Sequence, residues 1–372
     1  MTEKDIEVEF EKLLIPIKEL YSEITNRGTQ FCYPFIYTDG DGDYLSYITR
    51  QIKAFCERVK KLDGNSILIL NRGFDKLPED KKPNKSFDFI RDLDAVSQMV
   101  IEVLTDCYRC YPDDAFQKLK NFFEADENFY LNMLPQLSVN KWTLYRIRTG
   151  FFDKTNDGEI FHIPFEKRHL VTTQRYSVPG YPILYLAGSL FTAWCEMDKP
   201  ELEGMNYAGF RFKKNELFVD LGYPYQRTTL WEWYSLFVMY PLLMACMTRV
   251  KNASAPFKPE YIMPQLMTKL IREHGKRFTG IAYMSNKLPE SYSINSITSR
   301  NLAVCTNNCL CMKGHDKDLA SKMQMTDIQT ITRDKLLQSV NYKDGIYSID
   351  FKNLDTIDNS SFRDINVQMI TG

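Results

Sequence analysis

The sequence predicts an α+β protein, with a mainly helical N-terminal domain followed by a domain of mixed strands and helices. Two observations carry this prediction. Up to about residue 135, apolar residues recur at helical spacing, whereas from Trp142 onward the chain shows short runs rich in β-branched and aromatic residues. Because helical segments fall between those runs without regular alternation, the second part is expected to form a mixed sheet rather than a doubly wound parallel one.

Four segments of the N-terminal part have the apolar spacing of amphipathic helices. They are residues 5–27, 44–62, 87–111 and a segment that begins at Pro112. The first helix is expected to kink or split at Pro16 and to end near Gly28, because proline disrupts a helix interior and glycine favours a helix end. Residues 76–85 have the composition of a solvated loop.

The second part contains predicted strands and helices in irregular order. The strands are residues 143–148, 159–165, 169–178, 182–187, 209–214, 216–221 and 279–285. The helices are residues 189–197, 230–249 and 264–274. The second of these helices approaches the length of a membrane span, but Glu232 and Pro241 favour a buried helix of a soluble protein, interrupted near the proline. Residues 315–372 are polar and predict a C-terminal appendage.

Composition and charge narrow the class of function. The 372 residues include 47 basic and 48 acidic side chains, so the formal net charge is −1, which disfavours a nucleic-acid binder. The acidic start of the sequence has no secretory signal, and nine scattered cysteines suggest free thiols, so a cytoplasmic location is expected. Aromatic residues make up 13% of the chain, enough for a large core and for flat ligand pockets.

Two cysteine groupings and one acidic cluster resemble metal sites but depart from the required spacing. The groupings are Cys107 with Cys110, and Cys305, Cys309 and Cys311 with His315. Neither supplies the two ligand pairs of a zinc site, so no metal is predicted. Residues 39–43 alternate Asp and Gly like a calcium loop, but Arg50 stands where that loop needs Glu. A turn with a helix N-cap is predicted there instead.

Arg175, Tyr185 and Glu196 form the most informative pattern in the chain. We expect Arg175 on a strand, Tyr185 on the next strand after a Pro-Gly turn, and Glu196 on a helix capped by Ser189. Three consecutive elements of this kind can pack around one cleft. An arginine fork suits a pyrophosphate, a tyrosine face suits an aromatic base, and a carboxylate can stabilise a cationic sugar. Together these groups predict a site that breaks the N-glycosidic bond of a dinucleotide.

This block resembles the RES domain, a bacterial family whose members degrade NAD and pair with Xre-type antitoxins. The core of the family has an Arg, a Tyr ten residues later and a Glu eleven residues after that. Here Arg175, Tyr185 and Glu196 have the same spacing (185 − 175 = 10 and 196 − 185 = 11). The residues between them, which include Pro182 and Ala193, fit the family's flanking pattern as well.

Further matches to the family lie on either side of the block, over residues 141–308 as a whole. The early Arg of the family is matched by the Tyr-Arg-Ile-Arg run that contains Arg146 and Arg148, and its late Ser and Asn by Ser285 and Asn301. Tyr176 stands where the family usually has Trp. A helical N-terminal region of this size is not typical of the family.

The resemblance implies a domain division, a fold and an activity. The expected domains are a helical N-terminal domain over residues 1–138, a RES catalytic domain over 139–314 and the polar appendage over 315–372. The catalytic domain would have an ADP-ribosyltransferase-like fold and would cleave the nicotinamide–ribose bond of NAD by hydrolysis or phosphorolysis. NAD is then a substrate, with no cofactor, metal, membrane or nucleic acid involved. The expected protein partner is an Xre-type antitoxin or another inhibitor, and a homo-oligomer is also compatible with the resemblance.

The resemblance also assigns roles to individual residues. Glu196 would stabilise the oxocarbenium-like ribose, Arg175 would hold the pyrophosphate, and Tyr185 would orient the nicotinamide ribose. The implied substrate-binding residues are Arg146, Arg148, Tyr176, Ser285 and Asn301. His162 and His169, which lie close to the block, are expected to be packed or surface residues rather than acid–base groups.

Two alternatives to NAD degradation stay open. The same bond is broken by ADP-ribosyltransferases, which deliver ADP-ribose to a macromolecule, and the acceptor is not visible in a sequence. The chain would otherwise be an inactive RES-like module used for ligand sensing or protein interaction. The presence of all three core residues argues against the inactive module.

Overall fold

The structure is a computed structural model that describes residues 11–72, 87–222, 229–289, 297–306, 313–337, 340–343, 346–349 and 359–367. The predicted loop at 76–85, the first ten residues, Cys309 and Cys311 lie outside the described residues. The chain divides into two compact units. The first unit is Met1–Pro135 with Tyr223–Leu266, and the second is Gln136–Gly222 with Met267–Gly372.

The described residues form ten α-helices and twelve β-strands, numbered along the chain. The helices are α1 Ile15–Thr25, α2 Tyr44–Val59, α3 Gly64–Asn71, α4 Phe89–Tyr108, α5 Pro112–Met133, α6 Leu190–Glu196, α7 Leu230–Met247, α8 Ile262–Glu273, α9 Lys317–Lys322 and α10 Arg333–Leu337. The strands are β1 Gln136–Val139, β2 Leu144–Thr149, β3 Ile183–Ala187, β4 Met205–Phe212, β5 Glu216–Asp220, β6 Gly280–Met284, β7 Arg300–Cys305, β8 Met323–Met325, β9 Gln329–Thr330, β10 Val340–Lys343, β11 Ile346–Ile349 and β12 Arg363–Asp364. The predicted α+β class is confirmed.

Helix α7 forms the centre of the first unit. It packs against α2, α3 and α4, and every residue from Trp233 to Met247 is buried. By length and composition α7 would pass for a membrane span, but 83% of it is buried inside the protein, as expected for a core helix. The predicted interruption near Pro241 is wrong, because the helix runs through it. Packing on all sides of the helix offsets the cost of the proline.

The other helices of the first unit follow the sequence pattern, apart from α3, which was not predicted. The predicted split of the first helix near Pro16 is confirmed, because residues 11–13 are helical, Leu14 is a turn residue and α1 begins at Ile15. Pro16 lies in the first turn of α1, a position that proline favours because the first N–H groups have no partner in the helix. Helix α5 contains a break at residues 125–128, whose backbone is not helical. Asp92 of α4 is fully buried and accepts hydrogen bonds from the hydroxyls of Tyr234 at 2.6 Å and Tyr130 at 3.1 Å.

The acidic cluster before α2 is a turn and a helix cap, as predicted. The Asp43 carboxylate accepts a hydrogen bond from the Ser46 backbone N–H at 2.7 Å. Arg50, the residue that argued against a calcium loop, forms an ion pair with Asp41 at 2.6 Å. Within the described part of the chain, no group of three or more His, Cys, Asp or Glu residues is placed to hold a metal ion.

Ten of the described strands form the sheet of the second unit. Their order is β1-β5-β6-β7-β3-β2-β4-β8-β12, and β9 pairs with β4. Only the β5–β6 pair among these neighbours is parallel, so the sheet is mixed. Strands β10 and β11 form a separate hairpin.

Strand register divides the sheet into two faces, because residues paired across strands point to the same side. Tyr145 of β2 pairs with Ala187 of β3, which in turn pairs with Asn301 of β7. Helix α6 packs on the side of the sheet to which these three side chains point, and we call this side the α6 face. Leu144 and Leu184 point to the opposite side and pack with Phe161, and we call this side the Phe161 face. Successive residues of each strand therefore point alternately to the α6 face and to the Phe161 face.

The observed units differ from the predicted domains in two ways. Residues 223–266 belong with the N-terminal helices, because α7 is apolar all round and needs those helices to cover it. The described residues 317–330 and 363–364 do not form an appendage, since β8, β9 and β12 extend the sheet and the buried side chains of Leu319, Met323 and Met325 join its core.

Two predicted strands, at 159–165 and 169–178, are wrong. Residues Asp157–Glu159 and Phe165–Leu170 are short 3-10 helices, and residues 174–177 form a tight turn. Phe161, Phe165 and Tyr176 are buried without strand pairing, whereas Leu170 and Val178 are exposed. The β-branched and aromatic composition of these segments therefore did not indicate a strand. Strand β7, by contrast, was not predicted, because it begins with the polar residues Arg300 and Asn301.

Gly280 of β6 lies too close to the neighbouring strand for any side chain. A Cβ atom there would come within 2.1 Å of the Ala303 carbonyl oxygen. We expect Gly280→Ala to lower the free energy of unfolding by about 1 to 3 kcal/mol, measured by urea denaturation. Gly64→Ala is the control, because a Cβ atom at Gly64 would meet no atom within 4 Å. Equal stability of the two variants would contradict this steric account.

Candidate active site

The Arg-Tyr-Glu block folds as a turn, a strand and a helix. Arg175 lies in a two-residue turn closed by backbone hydrogen bonds between Gln174 and Ser177, at 2.9 and 3.1 Å, and not on the strand predicted for it. Tyr185 is the central residue of β3, and Glu196 is the last residue of α6. The predicted N-cap of this helix is confirmed, because the Ser189 hydroxyl accepts from the Thr192 backbone N–H at 3.0 Å.

Helix α6 is tied to the segment that leads into β7. The Thr192 hydroxyl donates to the Thr298 carbonyl oxygen at 2.5 Å, and the Gly188 N–H donates to the Arg300 carbonyl oxygen at 2.8 Å. These two bonds hold the start of the helix against residues 298–300. The position of Glu196 is therefore set by β7 as well as by its own helix.

Glu196 and Asn301 are in direct contact. The Asn301 side-chain amide donates to Glu196 Oε1 at 2.7 Å, although the two residues are 105 positions apart in the chain. Asn301 is 2% exposed, whereas Glu196 is half-buried. One carboxylate oxygen is thus held by a buried amide while the side chain as a whole keeps access to the surface.

A buried ion pair lies beside Asn301. Arg300 Nη1 and Asp220 Oδ1 are 2.5 Å apart, and their side chains are 3% and 5% exposed. The same Asp220 oxygen accepts from the Gly222 N–H at 3.1 Å. This pair joins the start of β7 to the end of β5.

Lys287 fixes the end of helix α6. Its ammonium group donates to the Glu196 carbonyl oxygen at 2.8 Å and forms an ion pair with Asp198 at 2.8 Å. A cation at this position is favourable because the C-terminus of a helix carries partial negative charge. Asp198 and Lys199 then reverse the chain with left-handed backbone conformations, at φ 63° and 52°.

Tyr283 completes the aromatic part of the site and was not predicted. It lies on β6 opposite Asn301, and its ring centroid is 4.6 Å from that of Tyr176. Burial raises the pKa of the Tyr283 phenol well above its ordinary value, and the negative charge of Glu196 raises it further. Tyr185 and Tyr176 also raise the pKa of Tyr283, and the positive charge of Arg175 lowers it. Each of these residues is therefore close enough to interact electrostatically with Tyr283.

Like Asn301, two other predicted substrate-binding residues on this side are almost inaccessible. Tyr176 has no exposed surface and packs against Tyr283. Ser285 is 2% exposed, and its backbone N–H donates to the Ser299 carbonyl oxygen at 3.1 Å in the turn after β6. Both residues support the site from below its surface.

The structure does not bring Arg146 and Arg148 to the side of the sheet that carries Glu196. Arg146 pairs with Ala208 of β4 and points to the Phe161 face, and its Nη1 donates to the Tyr185 carbonyl oxygen at 3.1 Å. Burial lowers the pKa of Arg146 to about 10, and the nearby Arg148 charge contributes. Arg148 is exposed and forms an ion pair with Glu159 at 2.8 Å.

A cleft of about 340 Å³ opens on the Phe161 face next to Arg146. Its lining includes the side chains of Arg146, Arg148, Glu159, Phe161, His162, Glu166, Lys167 and His315. It does not include Arg175, Tyr185 or Glu196. Sequence reasoning did not find this cleft, because a strand was predicted at 159–165, which supplies much of its lining, and because Gly314 and His315 reach it from a distant part of the chain.

His162 is a packed residue, as predicted. It is 0% exposed, its Nδ1 lies 2.8 Å from the Ile163 carbonyl oxygen, and its Nε2 accepts from the Asp316 N–H at 2.8 Å. These contacts define a neutral ring with the proton on Nδ1. Burial lowers the pKa of His162 to about 4.

This burial makes stability depend on pH. The unfolded chain binds a proton at His162 near its ordinary pKa of 6.5, whereas the folded protein does so only near 4. The associated stability is therefore complete above pH 6.5 and is lost as the pH falls towards 4, by up to about 3 kcal/mol. We expect His162→Gln, which keeps a donor and an acceptor, to flatten the curve of unfolding free energy against pH over that range. His169→Gln, at an exposed position, should leave the curve unchanged, and a similar change in both variants would contradict the assignment.

Comparison with known proteins gives one informative relative. No family model matches the chain, so the RES resemblance depends on the residues described above. A curated protein of Bacillus subtilis (strain 168), named "Putative toxin YopC", is 29% identical over 276 residues. The matched region is 66% of this chain and 61% of that protein, so this chain spans less than two thirds of the relative's length. No solved structure matches.

Proposed function

We propose that this protein is an NAD-degrading enzyme that cleaves the bond between nicotinamide and ribose by hydrolysis or phosphorolysis. One observation carries the proposal, namely the 2.7 Å hydrogen bond between the Asn301 amide and the Glu196 carboxylate. The RES resemblance marks these two residues separately in the sequence, and a contact between them is what a shared active site requires. Tyr283 supports it further, because it lies opposite Asn301 on β6 and the charge of Glu196 contributes to the raised pKa of its phenol.

The proposed chemistry uses the negative charge of Glu196. Nicotinamide leaves NAD as a neutral base and takes the electrons of the glycosidic bond, so positive charge develops on the ribose. A carboxylate held in a fixed position stabilises that charge without reorganisation during the reaction. Water or a phosphate oxygen then forms the new bond to the anomeric carbon, and in hydrolysis the proton of the water passes to solvent.

The other residues of the site have supporting roles in the proposal. Asn301 fixes the orientation of the Glu196 carboxylate through Oε1. Tyr185 and the half-buried Tyr283 offer aromatic surface for the nicotinamide ribose. Arg175, which is also half-buried, supplies a guanidinium for the pyrophosphate.

The relative named as a toxin supports a harmful role for such an activity. An enzyme that removes NAD would act in the cytoplasm, where it would injure its own cell unless it were restrained. We therefore propose that the protein is a toxin or defence effector, controlled by an Xre-type antitoxin or another inhibitor protein.

Product analysis tests the proposal directly. The purified protein is incubated with NAD, with and without inorganic phosphate, and the products are identified by mass. Nicotinamide with ADP-ribose supports hydrolysis, and nicotinamide with phosphorylated ADP-ribose supports phosphorolysis. Mass added to a protein or nucleic acid would favour the ADP-ribosyltransferase alternative, and intact NAD under all conditions would contradict the proposal.

A further inference from the structure

We propose that the cleft on the Phe161 face is a second ligand site, separate from Glu196, that binds a phosphorylated ribose. Three of the side chains that line the cleft have a buried polar atom with no hydrogen-bond partner. The atoms are Arg146 Nε, Glu166 Oε1 and His315 Nε2. Buried polar atoms are normally hydrogen-bonded, and leaving one without a partner is costly. Three of them around one cleft point to a polar ligand.

Arg146 indicates that part of this ligand is anionic. In the described part of the chain, no carboxylate forms an ion pair with Arg146, and its hydrogen bond goes to the neutral carbonyl oxygen of Tyr185. A desolvated guanidinium without an anion is costly, so an anionic group from outside the chain would relieve it. Arg148 and Lys167 line the same cleft, which gives three cationic side chains against the two carboxylates of Glu159 and Glu166.

Glu166 and His315 indicate the other part of the ligand. Glu166 Oε2 accepts a hydrogen bond from the Gly314 N–H at 2.6 Å, which leaves Oε1 to accept a hydrogen bond from a ligand. Burial raises the pKa of Glu166, but the backbone N–H groups of Glu166 and Gly314 and the nearby His315 and Lys167 lower it on balance, so the side chain is an acceptor at neutral pH. Carboxylates that accept from ribose hydroxyls are a recurrent feature of nucleotide sites. His315 follows Gly314 and brings its unpartnered Nε2 to the same cleft.

The size of the cleft limits what it can hold. Its volume of about 340 Å³ lies at the lower end of the range for small-molecule sites, which is about 300 to 1,000 Å³. A sugar phosphate fits this range better than a whole dinucleotide. The source of the ribose phosphate would be a free nucleotide or one half of a dinucleotide. Because binding is measured without cleavage, this proposal does not depend on the proposed NAD chemistry.

Calorimetric titration with a series of small probes tests the cleft without any mutation. Ribose 5-phosphate and AMP are expected to bind. Ribose, which lacks the phosphate, and inorganic phosphate, which lacks the sugar, should each bind at least 10-fold more weakly. If ribose 5-phosphate does not bind at millimolar concentration, or binds no better than phosphate alone, the proposal is wrong. Competition of NAD against bound AMP in the Glu196→Gln variant shows whether the natural ligand is a free nucleotide or one half of a dinucleotide. NAD displaces AMP only if the cleft accepts half of a dinucleotide.

Substitutions then locate the binding. Arg146→Met keeps most of the side-chain volume but removes the charge, and Glu166→Ala removes the acceptor. Each should weaken ribose 5-phosphate binding by at least 10-fold. Arg211→Met is the matched control, because Arg211 lies on the same sheet but outside the cleft, over the ring of Phe362. Unchanged affinity in Arg146→Met and Glu166→Ala would overturn the assignment, and loss of affinity in Glu196→Gln would show that the two sites are not separate.

Discussion

Replacement of Glu196 by Gln is expected to lower the rate of NAD cleavage by about 100- to 1,000-fold, the loss typical when one electrostatic group at a reaction centre is removed. Gln keeps the size of the side chain and an oxygen that can accept from Asn301. It lacks the negative charge that the proposed ribose cation requires. The rate is measured as nicotinamide released per unit time, and the melting temperature should stay unchanged.

Glu201→Gln is the matched control for this prediction. Glu201 is exposed and lies five residues beyond Glu196, so its loss removes the same charge without touching the site. We expect it to cleave NAD at the parent rate. If Glu196→Gln is as active as Glu201→Gln while NAD is still degraded, Glu196 is not the stabilising carboxylate, although the proposed activity itself would stand.

Removal of Asp220 is expected to have the largest effect on stability. Asp220→Ala leaves the guanidinium of Arg300 buried without its carboxylate, and breaking one side of a buried ion pair costs about 3 to 5 kcal/mol. The free energy of unfolding is measured by urea denaturation. Because Arg300 precedes Asn301, we also expect NAD cleavage to fall under conditions where the variant remains folded.

An exposed ion pair supplies the control for Asp220. Asp327 is 80% exposed and lies 2.8 Å from Arg363. Asp327→Ala should change the free energy of unfolding by less than about 1 kcal/mol. Similar destabilisation by the two substitutions would mean that burial does not determine the strength of the Asp220–Arg300 pair.

The local parts of the fold and site could be predicted, because their signals lie within short stretches of sequence. Ser189 caps α6 through a residue three positions away, and Glu196 ends the same helix. The Arg-Tyr-Glu spacing likewise spans a turn, a strand and a helix that follow one another directly. Arg175 was predicted on a strand, however, because of its aromatic and β-branched neighbours. In the structure Tyr176 is buried within a turn, and Thr172 and Val178 are exposed.

The long-range parts could not be predicted, because they depend on how strands pair. Asn301 reaches Glu196 only because β7 lies beside β3, and Tyr283 joins them only because β6 lies beside β7. The alternation along β2 places Arg146 and Arg148 on one side of the sheet. Because Tyr145 pairs with Ala187, Tyr145 points to the α6 face, where Glu196 lies. Its neighbour Arg146, and Arg148 with it, therefore point to the opposite side, which is known only once this pairing is known.

The path of the chain through the two units has a consequence for synthesis on the ribosome. The N-terminal helices are made first, yet the helix that fills their core, α7, follows 94 residues after Gln136, where the second unit begins (230 − 136 = 94). The first unit therefore cannot close until the ribosome has passed residue 247. By then five of the ten described strands of the second unit's sheet have been made, but β6 and β7 have not. Since Asn301 and Tyr283 are on those last strands, the candidate active site is assembled only after the helical unit has all the segments of its core.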